Sequence, residues 1–367
     1  MTKVMEDTRS KSEVTFPSSD PSCQLHGDLT LPISSSDEDI ALLPAIVIVA
    51  GSGPVDRNGN APSMRLNFNI YNRFAQHIHD KPSSDNTSSS GGGGSIAVLS
   101  YDKRGVGKSQ PILKDKNYFY KLGMMDLVAD AVEAVKFVAS HPRIDKNRIV
   151  LLGHSEGAII LPLICREITN DETSLQPIAG CIFYSGFGEN LIDVMAFQRT
   201  TLANEVQTMS GPTGWILRRL LTKEYLDKKY NEFMKQVNDD GEPDYVSLMC
   251  GLVKQPAKWV REHASYNAEE ALSKHVTCHC LAITGQKDFQ VRNEYCTRET
   301  AKGLVPNAAS VEVHRPPNLT HLLRSMEGEA KMMNMKKDYK EMGKLPLDEV
   351  VMEITYAWCD RVLFEKQ

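Results

Sequence analysis

Residues 148–160 read RIVLLGHSEGAII, and the order of residue types in this stretch decides the fold. The run 149–152 is unbroken and apolar, the pattern of a strand buried on both faces of a parallel sheet. A second apolar run follows Gly157 and suits a helix. Between them lies Gly153-His154-Ser155-Glu156-Gly157, a G-x-S-x-G turn that carries a serine on a sharp, strained passage from strand to helix. Glycine is required on both sides because a Cβ there would collide with the adjoining strand and helix. The turn lifts the Ser155 hydroxyl out of the sheet beside helix N-terminal amides, which makes Ser155 the candidate nucleophile. A surface-loop reading of the same five residues yields to the strand–turn–helix context around them.

Upstream, residues 44–50, PAIVIVA, form a second continuous apolar run rich in β-branched residues and are expected to be a central strand. That strand runs into GSGPVDRNGN, residues 51–60. A glycine-rich loop leaving a central strand exposes backbone N–H groups, and acyl transfer needs two of them aimed at a developing oxyanion. One is expected from Glu156, the residue after the nucleophile, and the other from Ser52 or Gly53. The loop lacks both nucleotide patterns, the G-x-x-x-x-G-K-[ST] run and a spaced G-x-G-x-x-G, so a phosphate cradle is not expected. Asp56 and Arg57 are read as a pair stiffening it. A helix is expected over 67–79 and a strand over 96–101, followed by DKRGVGKS, in which Arg104 is read as tying loops together. The helix 125–140 then leads to the nucleophile strand.

Downstream, strands are expected at 178–184, 279–284 and 310–314, with a helix at 293–304. Residues 190–272 break the alternation with long helical patterns, among them 215–237, and no convincing strand; they are read as a lid over the active-site edge. Met195, Phe197, Trp215, Phe233 and Met249 are among its apolar residues, each read first as lid core and second as lining for an acyl pocket. Asp288 follows the strand 279–284, where a carboxylate can hold an imidazole in one tautomer. His321 follows the last strand and is the candidate general base; His314, within that strand, is the rival and is read as structural. Near the N-terminus, 1–14 is expected to be a flexible tail, with strands at 13–17 and 24–32. The stretch 81–95, KPSSDNTSSSGGGGS, has the composition of a flexible connection.

With 367 residues and 41% hydrophobic content, the chain can bury one large core and a smaller accessory unit. A net charge of −5 and a pI near 6.1 provide no basic surplus for a phosphate backbone, so nucleic acid is not an expected partner. The N-terminus shows no signal-peptide pattern and no apolar run is long enough to span a bilayer, so a cytoplasmic protein is expected. The eight cysteines are too sparse for a disulfide scaffold and are read as reduced and mostly buried. Cys278-His279-Cys280 is read as core strand rather than metal site, because the imidazole faces away from the two thiols. The sequence carries no signal for an oligomeric state.

The order Ser155, Asp288, His321 is the Ser–acid–His order of the α/β-hydrolases. Together with AGSGPVDRNGN, YDKRGVGKS, GHSEG, TGQKDFQV and NLTH, the chain resembles the α/β-hydrolase fold superfamily, within its serine aminopeptidase-like, esterase and lysophospholipase-like group. The resemblance covers residues 24–365 and implies an α/β fold with a mostly parallel sheet, helices on both faces and a helical lid insertion. Residues 15–189 and 273–367 would form the catalytic domain and 190–272 the lid. It also implies a serine hydrolase that forms an acyl-enzyme on Ser155, with Asp288 and His321 completing the triad and the amides of Ser52 and Glu156 the oxyanion hole. The expected partner is a small-molecule acyl substrate, with no metal or organic cofactor. Ala50-Gly51 stands where the superfamily commonly has His-Gly, and 81–95 is foreign to its pattern. Carboxylic esters are the first expected substrate class; thioesters, aminopeptidase substrates bound through Glu224 or Glu242, and a non-hydrolytic receptor on the same fold are the alternatives.

Overall fold

A computed structural model describes residues 9–32, 42–80, 95–170, 175–248 and 253–365. The connection at 81–95 lies outside the described residues except for Ser95, as do Met249 and the first eight residues of the expected tail.

The chain opens with β1 (Arg9–Pro17) and β2 (Gln24–Pro32), paired antiparallel from Arg9 opposite Pro32 to Pro17 opposite Gln24. The pairing is unbroken, so residues 9–14 are strand and not tail, which corrects the expectation for them. Next come β3 (Leu43–Val49), α1 (Ile70–Asp80), β4 (Ala97–Tyr101), α2 (Met124–Ser140) and β5 (Ile144–His154). The helix α3 (Glu156–Asn170) and β6 (Gly180–Tyr184) follow.

A helical excursion leaves the sheet after β6. It holds α4 (Leu191–Thr208), α5 (Gly211–Leu220) and α6 (Lys223–Val237), the antiparallel pair β7 (Tyr245–Leu248) and β8 (Val253–Pro256), then α7 (Ala257–Ser265). The helix expected across 215–237 is thus two helices, broken where Thr222 caps α6 by accepting from the Tyr225 amide. The β7–β8 pair is a second departure from expectation. The next helix, α8 (Ala268–His275), ends past 272 and buries Leu272 against the sheet core, so the excursion stops before it.

The sheet resumes with β9 (His279–Ile283), α9 (Arg298–Leu304) and β10 (Ser310–His314), and the chain closes with α10 (Met335–Met342) and α11 (Glu349–Phe364). The main sheet has eight strands in the order β1-β2-β4-β3-β5-β6-β9-β10, parallel from β4 onward.

Period-two alternation sorts its side chains. Ala45, Val47 and Val49 of β3 join the core shared with α2, α3 and α8, whereas Ile46 and Ile48 join the one shared with α1 and α11. Each fully buried valine or isoleucine contributes about 1.5–3 kcal/mol, so the doubly covered strands carry much of the sheet's stability. The carboxyl ends of β3, β5, β6 and β9 therefore rest on buried strands, with β10 beside them at the sheet edge. In open α/β sheets that edge is where ligands bind.

Candidate active site

β5 ends at His154 and α3 begins at Glu156, so Ser155 alone makes the turn, at φ +56°. A left-handed conformation costs a residue with a Cβ about 1–2 kcal/mol and persists only where neighbours enforce it. They do so here. The Ser155 amide donates to the Tyr184 carbonyl (2.8 Å), and the Ser155 carbonyl accepts from Ala158 N (2.9 Å). A Cβ on Gly153 would lie 2.5 Å from Ala158 N, and one on Gly157 only 2.0 Å from the Val49 carbonyl oxygen, the collisions expected from the sequence. Gly186 closes the turn from a third side, its Cβ position 2.4 Å from the Ser155 carbonyl oxygen.

The acid and the base sit on the loops after β9 and β10, which are stitched together. Gln286 N donates to Pro316 O (3.0 Å) and Lys287 N to Leu319 O (3.1 Å), and a Cβ on Gly285 would fall 1.9 Å from the Leu319 carbonyl oxygen. That close approach brings Asp288 Oδ2 to 2.8 Å from His321 Nδ1, with both residues 5% exposed. Asp288 Oδ1 accepts from the amides of Gln290 (2.9 Å) and Val291 (3.1 Å), so the carboxylate is held at both oxygens. With Nδ1–H donated to Asp288, Nε2 is left as the basic nitrogen. Ser155 and His321 line one cavity of about 200 Å³ without a direct hydrogen bond between them. Such contacts commonly tighten only when substrate is bound. The rival His314 pairs with Glu312 (2.8 Å) on the edge strand β10.

Ser52 is exposed at the mouth of that cavity, and Gly53 does not line it. Among the described residues, the amides of Ser52 and Glu156 have no protein acceptor, which leaves both available to an oxyanion. The Gly51 amide is occupied: it donates to Tyr71 Oη (3.0 Å), which lies 3.4 Å from His154 Nδ1, and His154 Nε2 lies 2.9 Å from the His321 carbonyl oxygen. Burial, reinforced by the neighbouring His321, pushes the His154 pKa down to about 3. The ring is thus neutral, donating from Nε2 and accepting at Nδ1, and it ties the first loop to the loop that carries His321.

The side chain of Glu156 centres a second buried network. Lys103 Nζ lies 3.2 Å from Oε2, His263 Nε2 lies 3.2 Å from Oε1, and Trp259 Nε1–H also donates to Oε1. Lys103 donates in addition to the Gly51 carbonyl. Burial opposes the Glu156 charge, but Lys103 and His263 outweigh it and hold the pKa at about 2. The lysine therefore bridges the two segments that bear the free amides, and α7 of the excursion is anchored to the nucleophile turn.

Sequence reading missed Lys103, Tyr71, Trp259 and His263. The run Asp102-Lys103-Arg104 reads as a strand-ending turn, and all three of its residues are buried. Arg57 does not pair with Asp56; it reaches Asp102 (2.7 Å) and Asp28 (3.0 Å), while Asp56 accepts from the amides of Asn58 and Asn60. Arg104 meets Asp130 of α2 and Ser19 of the β1–β2 turn.

On the other side of Ser155 lies a cavity of about 870 Å³, walled by α4, α6 and α7. Met195 and Phe233 line it and also pack in the excursion's own core, whereas Phe197 and Trp215 do not line it, and Trp215 stands exposed with Arg219 over its ring. Glu224 and Glu242 are also exposed and away from this wall, which removes the carboxylates proposed to bind a substrate amine. Cys280 is buried in β9, and the Cys278 and Cys165 sulfurs each lie 3.6 Å from that of Cys181.

The eight-stranded order, the antiparallel β2 and the strand–serine–helix turn give the chain the α/β-hydrolase fold. Among curated proteins it is similar to esterase EstD of Thermotoga maritima, with 25% identity over 333 residues, 89% of this chain. The chain spans 64% of the length of that relative. Among solved structures it is similar to an esterase of Pyrococcus furiosus (TM-score 0.50, 13% identity, covering 96% of this chain and 90% of that one). A hypothetical protein of Pseudomonas aeruginosa is comparable (TM-score 0.50, 13% identity, 91% and 94%). At such identities these structures speak for the fold alone. No protein-family model matches the chain.

Proposed function

We propose that this chain is a serine hydrolase that cleaves carboxylic esters through an acyl-enzyme on Ser155. The observation that carries the proposal is the buried His321–Asp288 pair, whose histidine lines the same cavity as Ser155, a serine fixed at φ +56° by glycines that admit no side chain. In the mechanism, His321 Nε2 takes the Ser155 hydroxyl proton as Oγ attacks the ester carbonyl carbon. The amides of Ser52 and Glu156 stabilise the oxyanion. Collapse breaks the bond to the alkoxy oxygen, which leaves as the alcohol with the proton from His321. Water then repeats the cycle on the acyl-enzyme and releases the acid. Asp288 keeps Nδ1–H in place and stabilises the imidazolium without taking its proton.

Esters are favoured over amines and peptides by the cavity wall. Its carboxylates, Glu156 and Glu232, are neutralised by Lys103 and Lys229 (2.7 Å), and much of the remaining wall is apolar. The similarity to an enzyme named an esterase supports the same reading. The excursion of α4 to α7 is read as a lid over this cavity, and the free cysteines suit a reducing compartment such as the cytoplasm.

The test is hydrolysis of p-nitrophenyl esters near neutral pH by the wild type and Ser155→Ala. Removal of a triad nucleophile lowers kcat by about 10⁴-fold or more. A folded Ser155→Ala protein that keeps wild-type turnover contradicts the proposal.

A further inference from the structure

The nucleophile stands at the junction of two cavities of very different size. Ser155, Ser52 and Gln290 belong to the walls of both. The remaining walls share no residue: the large cavity is built mostly by the excursion, with Glu156, Ile159, Val291 and Met332, and the small one by the segment 51–71, His154, the loop of His321 and α10. An ester held by Ser155 has two arms, one on the carbonyl carbon and one on the leaving oxygen, and the two cavities offer one place for each.

Proton transfer decides which arm goes where. The leaving oxygen departs as an alcohol only if His321 Nε2 can reach it, so the alkoxy arm must lie on the histidine side of the carbonyl. Among the described residues, His321 lines the small cavity and not the large one. From this we infer that the enzyme takes the acyl arm of its ester into the 870 Å³ cavity beneath α4, α6 and α7, and the alcohol arm into the 200 Å³ cavity beside His321. The inference rests on the serine-hydrolase reading and deepens it by naming the substrate class.

Volumes and linings then set the chemistry. An apolar cavity of about 150 Å³ accepts a benzene ring, so 200 Å³ walled by Leu66, Phe68, Ile70 and Leu322 holds one ring or a short alkyl group. The large cavity is near the top of the range for ligand sites and presents Val194, Leu202, Phe233 and Val260. The substrates are esters of long or bulky carboxylic acids with small apolar alcohols.

Two isomeric esters separate the arms. Methyl octanoate puts its long chain on the acyl side and heptyl acetate puts it on the alcohol side, at the same composition. The wild type is expected to show a kcat/KM at least about tenfold higher for methyl octanoate, since each methylene a pocket accepts or refuses is worth about tenfold or more. Phe68→Ala, which widens the small cavity, should lower that ratio by raising heptyl acetate turnover several-fold. Val194→Trp, which narrows the large cavity, should lower it by slowing methyl octanoate about tenfold, with thermal unfolding used to verify that both variants are folded. Hydrolysis of both isomers with equal or reversed preference overturns the division of the arms while leaving the serine-hydrolase reading intact, as does a Val194→Trp enzyme that slows heptyl acetate more than methyl octanoate. Absence of turnover on either isomer and on p-nitrophenyl esters, or turnover that survives Ser155→Ala, overturns that reading and the division with it.

Discussion

Gly157 has room for a hydrogen and nothing larger, because a methyl group there would meet the backbone of β3 at 2.0 Å, and backbone cannot step aside as a flexible side chain can. Gly157→Ala should therefore cost about 3 kcal/mol or more, measured as a lower urea midpoint; a wild-type midpoint would show that the turn is looser than described. His154 gives a pH prediction. Its folded pKa is about 3 against 6.5 for the free side chain, so the unfolded chain binds the extra proton first. Its contribution is full above pH 6.5 and is lost as pH falls toward 3. Glu156, at about 2 against 4.5, begins to lose its contribution only below pH 4.5, so between pH 6.5 and 4.5 the histidine acts without it. In that window His154→Gln should show a shallower fall of stability with acid than the wild type, and parallel urea-midpoint curves would refute the assignment. The GHSEG stretch was enough to place Ser155 on the strand-to-helix turn because its constraint is local and steric. It was silent on His154 and on the Glu156 side chain, whose partners lie 53 to 167 residues away.

Between elements, the Lys103–Glu156–His263–Trp259 network joins the end of β4, the nucleophile turn and α7. Removing one charge of a buried pair leaves the other uncompensated, so Lys103→Met should destabilise the protein by about 3–5 kcal/mol. Because Lys103 also grips the Gly51 carbonyl, the variant should lose kcat more than KM toward p-nitrophenyl esters. The double variant Lys103→Met/Glu156→Gln should recover part of the stability, as a coupled pair requires. Additive losses in the double variant would show that the two side chains act separately. The strands around this network were legible because continuous apolar runs report double-sided burial. The β7–β8 pair was not, since four-residue strands lying outside the main sheet carry too few alternations to register. The split between α5 and α6 hangs on a single cap at Thr222, a detail that a charged, leucine-bearing helical pattern runs straight across.

At the level of the whole molecule, the doubly wound sheet was readable from the alternation of strand and helix, and Ser155, Asp288 and His321 were readable as the residues just beyond three strand ends. What joins Asp288 to His321 was not, since the stitching of their loops depends on Gly285 meeting Leu319 across 34 residues. The two cavities were equally invisible, because cavity shape belongs to packing between the excursion and the sheet edge rather than to any one segment. The proposed reaction turns on one covalent event, the acylation of Ser155. The most direct measurement is rapid-quench intact-mass spectrometry of the wild type mixed with p-nitrophenyl acetate, followed by peptide mapping. A transient acetyl adduct is expected on the peptide bearing Ser155, formed with the first burst of p-nitrophenol and absent from a folded Ser155→Ala protein. Ester turnover with no adduct on that peptide, or with the adduct on another residue, contradicts it.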